Sequence, residues 1–213
     1  MKLFGYFRSS AAFRVRIALA LKGLAHDDAA IHLRRGDQRG DDYLAINPQG
    51  LVPALAFDGH TLTQSMAIVE YLDETHPEPP LLPRDPLDRA RVRALAAIVA
   101  CDIHPINNLR VLRYLSRPLG HDQAAIETWY NHWIAIGFAA LERVLAGDRR
   151  TGAFCHGDRP GLADIALVPQ AVNAERYRLD MSPYPTITRI YARCMQLDAF
   201  SAAHPDRQPD RDD

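Results

Sequence analysis

Five prolines fall within the ten residues from Pro77 to Pro86, and they divide this chain into two dissimilar parts. Because proline lacks a backbone donor and clashes inside a helix, the segment PEPPLLPRDP can form neither an inner strand nor a helix. We therefore predict a semi-rigid linker at a domain boundary. The predicted domains span residues 1–80 and 87–205, and the polar residues 206–213 are predicted to form a flexible tail.

Short strand-like segments alternate with helical ones before this linker. KLFGYF, DAAIHL, LVPALAF and HTLTQ have the composition of strands, and Asp58-Gly59 between the last two is a hairpin signal. DDYLAINPQG favours a short helix or a turn. AAFRVRIALALKG and SMAIVEYLDETH have helical periodicity, with Ser65 as the expected N-cap of the second helix. The resulting order βαβαββα predicts a thioredoxin-like α/β domain.

The part of the chain after the linker contains no convincing strand. Four segments are helical by periodicity and propensity, namely LDRARVRALAAIVACDIHPINNLRVLRYL, DQAAIETWYNHWIAIGFAALERVLA, LADIALVPQAVNAERY and YPTITRIYARCMQL. They predict an all-α domain. The first segment places Pro105 beside His104 and close to Asn108. Because a proline inside a helix costs ~3 kcal/mol, we predict a functional kink at this point.

The composition excludes several classes of partner. The chain has 25 basic and 26 acidic residues, so that no bulk field is expected to attract nucleic acid or a membrane surface. The apolar N-terminus is too short for a signal peptide, and no apolar run is long enough to span a bilayer. Cys101, Cys155 and Cys194 are far apart and have no zinc-binding spacing. We therefore predict a cytoplasmic protein without a metal site.

Two serines, Ser9 and Ser10, lie where the first predicted strand is followed by the first helix. A hydroxyl at the N-terminus of a helix can cap that helix, or it can donate to a bound thiolate and lower the pKa of that thiol. The next residues are Ala11 and Ala12, so the chain has no cysteine of its own at this point. The residues alone leave both interpretations open.

Two further places combine a structural and a chemical interpretation. Gln64 and Ser65 begin a helix, whose free N–H groups and positive end either receive a serine cap or attract a carboxylate. Pro53 interrupts a strand pattern, which indicates either an edge position or a cis Val52–Pro53 bond. A cis bond would turn the backbone of Val52 outward, where an extended peptide could pair with it.

Taken together and in order, six segments closely resemble the zeta class of glutathione transferases, and in particular the bacterial maleylacetoacetate isomerases. They are YFRSSAAFRVRIALALKG, NPQGLVPAL, LTQSMAIVEYL, ACDIHPINNLRVLRYL, FCHGDRPGLADIALVPQ and SPYPTI. The resemblance extends over nearly the whole chain, up to about Pro205. It implies a homodimer whose subunits each have a thioredoxin-like and an all-helical domain. It also implies glutathione as a cofactor that is not consumed.

The resemblance also implies site residues. The residues expected to bind glutathione are Ser9, Ser10, Ala11, Gln38, Val52, Pro53, Gln64, Ser65, His104, Asn108 and Arg110. The expected catalytic residues are Ser9, Ser10 and Arg8, and the expected clamp for an acidic substrate is Arg8, Arg110 and Arg176. Many zeta members have a cysteine at the place of Ala11, so the activated thiol must here be that of glutathione.

The implied reaction is the cis–trans isomerisation of 4-maleylacetoacetate to 4-fumarylacetoacetate, in tyrosine and phenylalanine catabolism. One alternative is maleylpyruvate isomerisation, which applies the same chemistry to a shorter keto diacid. Another is general glutathione conjugation or dehalogenation of small α-halo acids. A non-catalytic interaction protein is the last alternative. It predicts the loss of the thiol-site hydroxyls or of the Gln64-Ser65 pair, and both are present.

Overall fold

The computed structural model describes residues 1–211 and divides the chain into two compact units. The first unit comprises Met1–Leu81 together with the C-terminal residues from Gln196 onwards, and the second comprises Leu82–Met195. The division falls between Leu81 and Leu82, inside the proline-rich segment. No helix among the described residues is long and apolar enough to cross a membrane.

The first unit contains a four-stranded mixed sheet with three main helices. Its elements are β1 (Lys2–Gly5), α1 (Ser10–Leu21), β2 (Asp27–Ala30), α2 (Asp41–Ile46), β3 (Ala54–Phe57), β4 (His60–Thr63) and α3 (Ser65–Thr75). The strand order is β2-β1-β3-β4, with β1 parallel to β2 and antiparallel to β3. The predicted order βαβαββα and the thioredoxin-like fold class are therefore confirmed.

The hairpin between β3 and β4 turns at the predicted residues. Asp58 and Gly59 both have positive φ, of 46° and 78°, as the tight turns of hairpins require. The turn fixes the antiparallel register in which Ala54 is paired with Thr63. This register places the last residue of β4 beside the start of β3, and the Gln64-Ser65 junction follows directly.

Helix α1 is buried on nearly every side, and its two internal arginines are buried with it. Arg14 is 2% exposed, and its Nη1 donates to Ser65 Oγ at 3.3 Å. Arg16 is 6% exposed and donates to the carbonyl oxygens of Phe7 and Ala203, each at 3.1 Å. Buried charges need such partners, and here the partners bind α1 to α3 and to the C-terminal segment.

The end of α1 is fixed to the end of α3 by a buried lysine. Lys22 Nζ donates to Asp73 Oδ1 at 2.7 Å and to the carbonyl oxygens of His76 and Pro79, each at 2.6 Å. The same Asp73 oxygen accepts from the backbone N–H of Leu81 at 2.8 Å. These bonds hold the first residues of the proline-rich segment against the first unit.

The second unit is all-helical, as predicted. Its helices are α4 (Pro86–Ala97), α5 (Leu109–Ser116), α6 (Gln123–Ala146), α7 (Leu162–Arg176) and α8 (Pro185–Met195). Helix α7 is buried along most of its length, which accounts for its nearly continuous apolar sequence. Helix α6 is amphipathic and directs Ile134, Phe138 and Leu141 into the core.

The predicted kink in the first helical segment is a complete interruption. Helix α4 passes into a π-helical turn, Ile98–Ile103, and residues 104–108 are not helical before α5 begins. Asn108 is the N-cap of α5, and its Oδ1 accepts from the backbone N–H of Arg110 at 3.1 Å. Pro105 has no N–H to continue a helix, and the asparagine provides a new start.

The C-terminal segment differs from the flexible tail predicted for residues 206–213. After the short helix α9 (Asp198–Ser201), residues Pro205–Arg207 form a turn of 3-10 helix. Asp210 Oδ2 then accepts a hydrogen bond from the backbone N–H of Phe7 at 2.9 Å. Because Phe200 is fully buried, the chain that leads to this contact is anchored in the first unit. Residues 212 and 213 lie outside the described part of the chain.

Candidate functional site

The loop that follows β1 carries Arg8 and Ser9, and it is anchored in a small apolar core. This core consists of Tyr6, Phe7, Tyr43 and Val52. The rings of Tyr6 and Phe7 meet edge to face, with centroids 4.7 Å apart. The guanidinium of Arg8 lies over the Phe7 ring at 5.1 Å from its centroid. The packing therefore fixes the backbone from which Arg8 and Ser9 project.

Ser9 is the N-cap of α1. Its Oγ accepts from the backbone N–H of Ala12 at 3.1 Å, and its carbonyl accepts from Phe13 at 2.8 Å. A serine hydroxyl can accept and donate at the same time. The capping bond uses a lone pair of Ser9 Oγ and leaves its proton available to a ligand at the positive end of α1.

Ser10 and Ala11 form the first turn of α1 after Ser9. Ser10 is 7% exposed, whereas Ala11 is half-buried. The first N–H groups of a helix have no partner within the helix. Residues 8–11 therefore combine an arginine, a hydroxyl and a helix end.

The backbone of Val52 offers an unpaired donor and an unpaired acceptor. The Val52–Pro53 bond is cis, and among the described residues neither the N–H nor the carbonyl of Val52 makes a hydrogen bond. The adjacent carbonyl of Leu51 has two donors, Tyr43 Oη at 2.6 Å and Asn47 Nδ2 at 2.7 Å. A donor and an acceptor of the backbone that both lack a partner suit an extended peptide ligand.

Tyr43 and Asn47 were not found from the sequence, although they fix the chain immediately before Val52. Burial raises the pKa of Tyr43 to about 12, which a hydrogen bond involving Asn47 partly opposes. The hydroxyl therefore remains a donor to Leu51 throughout the ordinary pH range. The sequence gives no signal for this contact, because it depends on the three-dimensional return of the chain after α2.

The junction at Gln64 and Ser65 differs from the prediction in one respect. Gln64, and not Ser65, is the N-cap of α3, and it makes no side-chain capping bond. Ser65 is the first helical residue, and its Oγ accepts from Arg14. Gln64 has a φ of 68°, which is rare outside glycine, and its Nε2 donates to Gln49 Oε1 at 2.8 Å. Ser65 therefore lies one position inside the helix and is not its N-cap.

Gln38 is buried with an unsatisfied acceptor. The residue is 7% exposed, and its Oε1 has no hydrogen-bond partner among the described residues. Gly50 lies against its backbone, since a Cβ at Gly50 would come within 2.9 Å of the Gln38 carbonyl oxygen. A buried acceptor without a partner is costly, and a donor on a ligand would remove that cost.

In the second unit, the predicted residues His104, Asn108 and Arg110 all lie at the interruption between α4 and α5. The backbone N–H of His104 donates to the carbonyl of Val99 at 2.9 Å, which is the π-helical pattern. Asn108 is half-buried and engaged as a cap, and Arg110 is exposed in the first turn of α5. The interruption thus gathers an imidazole, an amide and a cation.

Arg176 ends α7 and contacts Tyr177, one of two stacked tyrosines. Its guanidinium lies over the Tyr177 ring at 5.3 Å from the centroid. The rings of Tyr130 and Tyr177 are stacked, with centroids 3.7 Å apart. Burial raises the pKa of Tyr130 above its ordinary value. Sequence reasoning missed both tyrosines.

In the first unit, several predicted residues contact neighbours that were not predicted as site residues. Phe7 and Val52 share one apolar core, Arg14 joins α1 to Ser65, and Gln64 is bonded to the residue that precedes Gly50. Arg8, Ser9, Ser10, Ala11, Gln38, Val52, Pro53, Gln64 and Ser65 all belong to this unit. His104, Asn108, Arg110 and Arg176 belong to the second unit.

Two protein families match the two parts of the chain. The glutathione S-transferase N-terminal domain family matches residues 8–75, and the glutathione S-transferase C-terminal domain family matches residues 127–193. The maleylacetoacetate isomerase of Pseudomonas aeruginosa is 50% identical over 213 residues, which cover 99% of this chain and 98% of that relative.

Solved structures resemble the chain over nearly its full length. A holo structure of maleylpyruvate isomerase, a bacterial glutathione S-transferase of the zeta class, has a TM-score of 0.97 at 50% identity and covers 99% of both chains. A structure of maleylacetoacetate isomerase from Methylobacterium extorquens AM1, with bound malonate and glutathione, has a TM-score of 0.96 at 45% identity and covers 98% of both chains.

Proposed function

Because this chain belongs to the zeta class of the glutathione S-transferase family, we propose that it is a glutathione-dependent isomerase. The proposed reaction converts 4-maleylacetoacetate into 4-fumarylacetoacetate, a step of tyrosine and phenylalanine catabolism. The observation that carries the proposal is the Ser9 hydroxyl, which caps α1 as an acceptor and retains its proton for a thiolate.

The residues of the first unit fit glutathione. Glutathione is an extended tripeptide that has a backbone to pair, a carboxylate and an amine at one end, and a thiol in the middle. Val52 offers a free N–H and a free carbonyl, and α3 begins without a side-chain cap. Gln38 has a buried acceptor that lacks a donor among the described residues. Each of these features is complementary to a different part of the tripeptide.

We assign the parts of glutathione to residues accordingly. Val52, ahead of Pro53, pairs with the cysteinyl backbone, Gln64 and Ser65 hold the γ-glutamyl carboxylate and amine, and Gln38 lies near the glycyl end. Ser9, Ser10 and the backbone of Ala11 surround the sulfur. His104, Asn108 and Arg110 are further proposed ligands. Bound glutathione would supply a thiolate that adds to the conjugated double bond and leaves again after rotation.

The residues of the chain have three tasks in this reaction. Ser9 and the N-terminus of α1 stabilise negative charge at the sulfur. Arg8 neutralises charge that develops on the keto oxygen of the substrate. Arg110 and Arg176 hold the carboxylates through charge-assisted hydrogen bonds. A protein with a net charge of only −1 therefore provides cations where an acidic substrate needs them.

Maleylpyruvate is the second candidate substrate. The relative with a TM-score of 0.97 is a maleylpyruvate isomerase, and a relative of equal identity, 50%, is a maleylacetoacetate isomerase. Both substrates are cis keto diacids, and both require a thiolate and an arginine clamp. The two substrates differ in the length of the keto acid chain, and the enzyme has to discriminate between them by that length.

An absorbance assay tests the proposal. Purified protein is mixed with maleylacetoacetate or maleylpyruvate, each with and without glutathione. We expect glutathione-dependent loss of the cis isomer, with the higher kcat/KM on maleylacetoacetate. A higher kcat/KM on maleylpyruvate would reverse the substrate assignment. Loss of neither isomer would contradict the isomerase function altogether.

We also infer that the protein is a cytoplasmic homodimer. The resemblance to zeta-class enzymes supports the dimer, and the free thiols of Cys101, Cys155 and Cys194 fit a reducing compartment. Sedimentation equilibrium should give twice the mass of the 23.8 kDa chain, and a mass of one chain at micromolar concentration would contradict the dimer. Cell fractionation tests the location.

A further inference from the structure

The C-terminal segment is hydrogen-bonded to the loop that carries Arg8 and Ser9. The backbone N–H of Phe7 donates to Asp210 Oδ2 at 2.9 Å, across 203 positions of sequence. The carbonyl of the same residue accepts from Arg16 Nη2 at 3.1 Å. Both polar backbone groups of a residue that is 2% exposed are therefore bonded to charged side chains.

Arg16 binds both Phe7 and the C-terminal segment. Its Nε donates to the carbonyl of Ala203 at 3.1 Å, and its guanidinium lies over the Phe13 ring at 5.5 Å from the centroid. Burial lowers the pKa of Arg16 to about 10, and the charges of Asp210 and Asp28 partly oppose this shift. Arg16 is thus a buried cation at neutral pH with Asp210 as a counterion.

Contacts within the C-terminal segment and with α1 position Asp210. Gln208 Nε2 donates to the carbonyl oxygens of Ala202 at 2.9 Å and His204 at 3.0 Å. The ring of His204 meets the ring of Phe13 edge to face, with centroids 6.0 Å apart. These contacts keep the last part of the chain on α1, so that the carboxylate reaches Phe7 at little further entropic cost.

The position of Phe7 decides where Ser9 lies. Phe7 precedes Arg8 and Ser9 directly, and Ser9 N–H closes a turn onto the carbonyl of Tyr6 at 2.9 Å. Since backbone dihedral angles transmit displacement along such a short turn, a shift at Phe7 moves the Ser9 hydroxyl. Displacements of about 1 Å at catalytic groups can cost about a hundredfold in rate.

We propose that Asp210 is a positioning residue, which acts through the backbone of Phe7 to hold Arg8 and Ser9 in their working geometry. The C-terminal segment would then be part of the machinery of the thiol site. The hydrogen bond between Asp210 and the backbone of Phe7 does not depend on any assigned function. Its catalytic consequence rests on the proposed function.

Three variants test the role of Asp210. Asp210→Ala removes the acceptor, Asp210→Asn keeps an acceptor oxygen without the charge, and Asp206→Ala is the matched control. Asp206 lies in the same segment, its side chain is 63% exposed, and it contacts Arg211. Asp210→Ser, whose side chain is too short to reach Phe7, replaces the alanine variant if that variant does not fold.

Three measurements separate a positioning role from a purely structural one. Hydrogen exchange of the Phe7 and Ser9 amides in ligand-free protein reports the contact, and Asp210→Ala should accelerate it by about tenfold to a hundredfold. The pKa of the thiol of bound glutathione, measured by titration, reports the geometry around Ser9, and this pKa should rise in Asp210→Ala.

We expect kcat of Asp210→Ala to fall by about tenfold or more while KM for the diacid is kept. Asp210→Asn should lie closer to wild type, and Asp206→Ala should match it.

Failure of the Asp210 proposal and failure of the proposed function would give different results. Equal exchange rates in Asp210→Ala and Asp206→Ala would refute the contact. Faster exchange with an unchanged thiol pKa and unchanged kcat would show that the segment has a structural role only. Wild-type protein that binds glutathione without isomerising either diacid would overturn the proposed function alone, because the thiol pKa would still test Asp210. Wild-type protein that does not bind glutathione would overturn both.

Discussion

Ser9 shows how one side chain can serve the fold and the chemistry together. Its oxygen accepts from the N–H of Ala12, which satisfies one of the unpaired donors at the start of α1. Its proton is not needed for that bond. The two interpretations of Ser9 from the sequence, a cap and a donor to a thiolate, therefore do not exclude each other.

Replacing Ser9 tests its donor role. Ser9→Ala should lower kcat/KM by about a hundredfold at neutral pH, and the loss should shrink at high pH because the thiol then ionises without help. It should also cost about 1 kcal/mol of unfolding free energy, because the cap is lost. The measurement is a pH–rate profile with urea denaturation beside it. Ser9→Thr, which keeps a hydroxyl, is the control, and a loss that is equal at all pH values would argue against thiolate stabilisation.

Arg176 should matter for the diacid and not for glutathione. Arg176→Ala removes a charge-assisted contact worth about 1.5–3 kcal/mol, so KM for the diacid should rise by about tenfold to a hundredfold while the affinity for glutathione is kept. Steady-state kinetics and calorimetry measure the two quantities. Arg189→Ala, an exposed arginine on α8 of the same unit, should change neither. A parallel loss of glutathione affinity would count against the assigned role.

At the residue scale, the sequence was informative where chemistry is local. The Ser9 cap, which was one of two open interpretations, and the predicted Asp58-Gly59 turn depend on neighbours in the chain, and both are present. The Ser65 cap was wrong because α3 begins at Ser65 itself, so that Gln64 takes the N-cap position and the serine hydroxyl accepts from Arg14 of another helix. Tyr130 stacks on Tyr177, the ring that Arg176 contacts, across a large sequence separation, and no local pattern indicates this packing.

At the element scale, the interruption between α4 and α5 depends on close packing against α6. Gly137 of α6 faces Ile103, the last residue of the π-helical turn, and a methyl group at Gly137 would overlap the Ile103 side chain. Ile103 is 1% exposed and has little room to move. The glycine thus allows α6 to approach the turn that precedes His104.

Gly137→Ala should therefore destabilise the protein. Overpacking of this kind costs about 1–3 kcal/mol, measured as the free energy of unfolding in urea. The double variant Gly137→Ala/Ile103→Val removes Cδ1 of Ile103, one of the two atoms that the new methyl group would overlap, and should recover part of the loss. Additive losses in the double variant would show that the two residues do not compete for the same space.

Lys22 joins three elements of the first unit, and its loss should be costly. Its side chain is 0% exposed and that of Asp73 is 13% exposed. Lys22→Met therefore leaves a largely buried carboxylate without its cation and two carbonyl groups without their donor. We expect a loss of about 3 kcal/mol in unfolding free energy. Lys2→Met is the matched control, since Lys2 is exposed over the Phe4 ring, and should cost less than about 1 kcal/mol. Equal losses would contradict the assigned role of Lys22.

At the scale of the whole molecule, alternating patterns before the proline-rich segment and helical patterns after it were sufficient to predict both fold classes. The C-terminal segment was not predictable in the same way. Its composition is polar, and its order depends on partners near the other end of the chain, Phe7 and Arg16. Local composition predicts disorder, whereas tertiary contacts decide the outcome.

The central claim is that glutathione assists the isomerisation without being consumed. The most direct measurement follows the trans product and the free thiol in one reaction, with cis diacid in large excess over glutathione. We predict that the product exceeds the added glutathione many times over while the free thiol returns to its starting level. Product formation without glutathione, or the loss of one thiol for each molecule converted, would contradict the account.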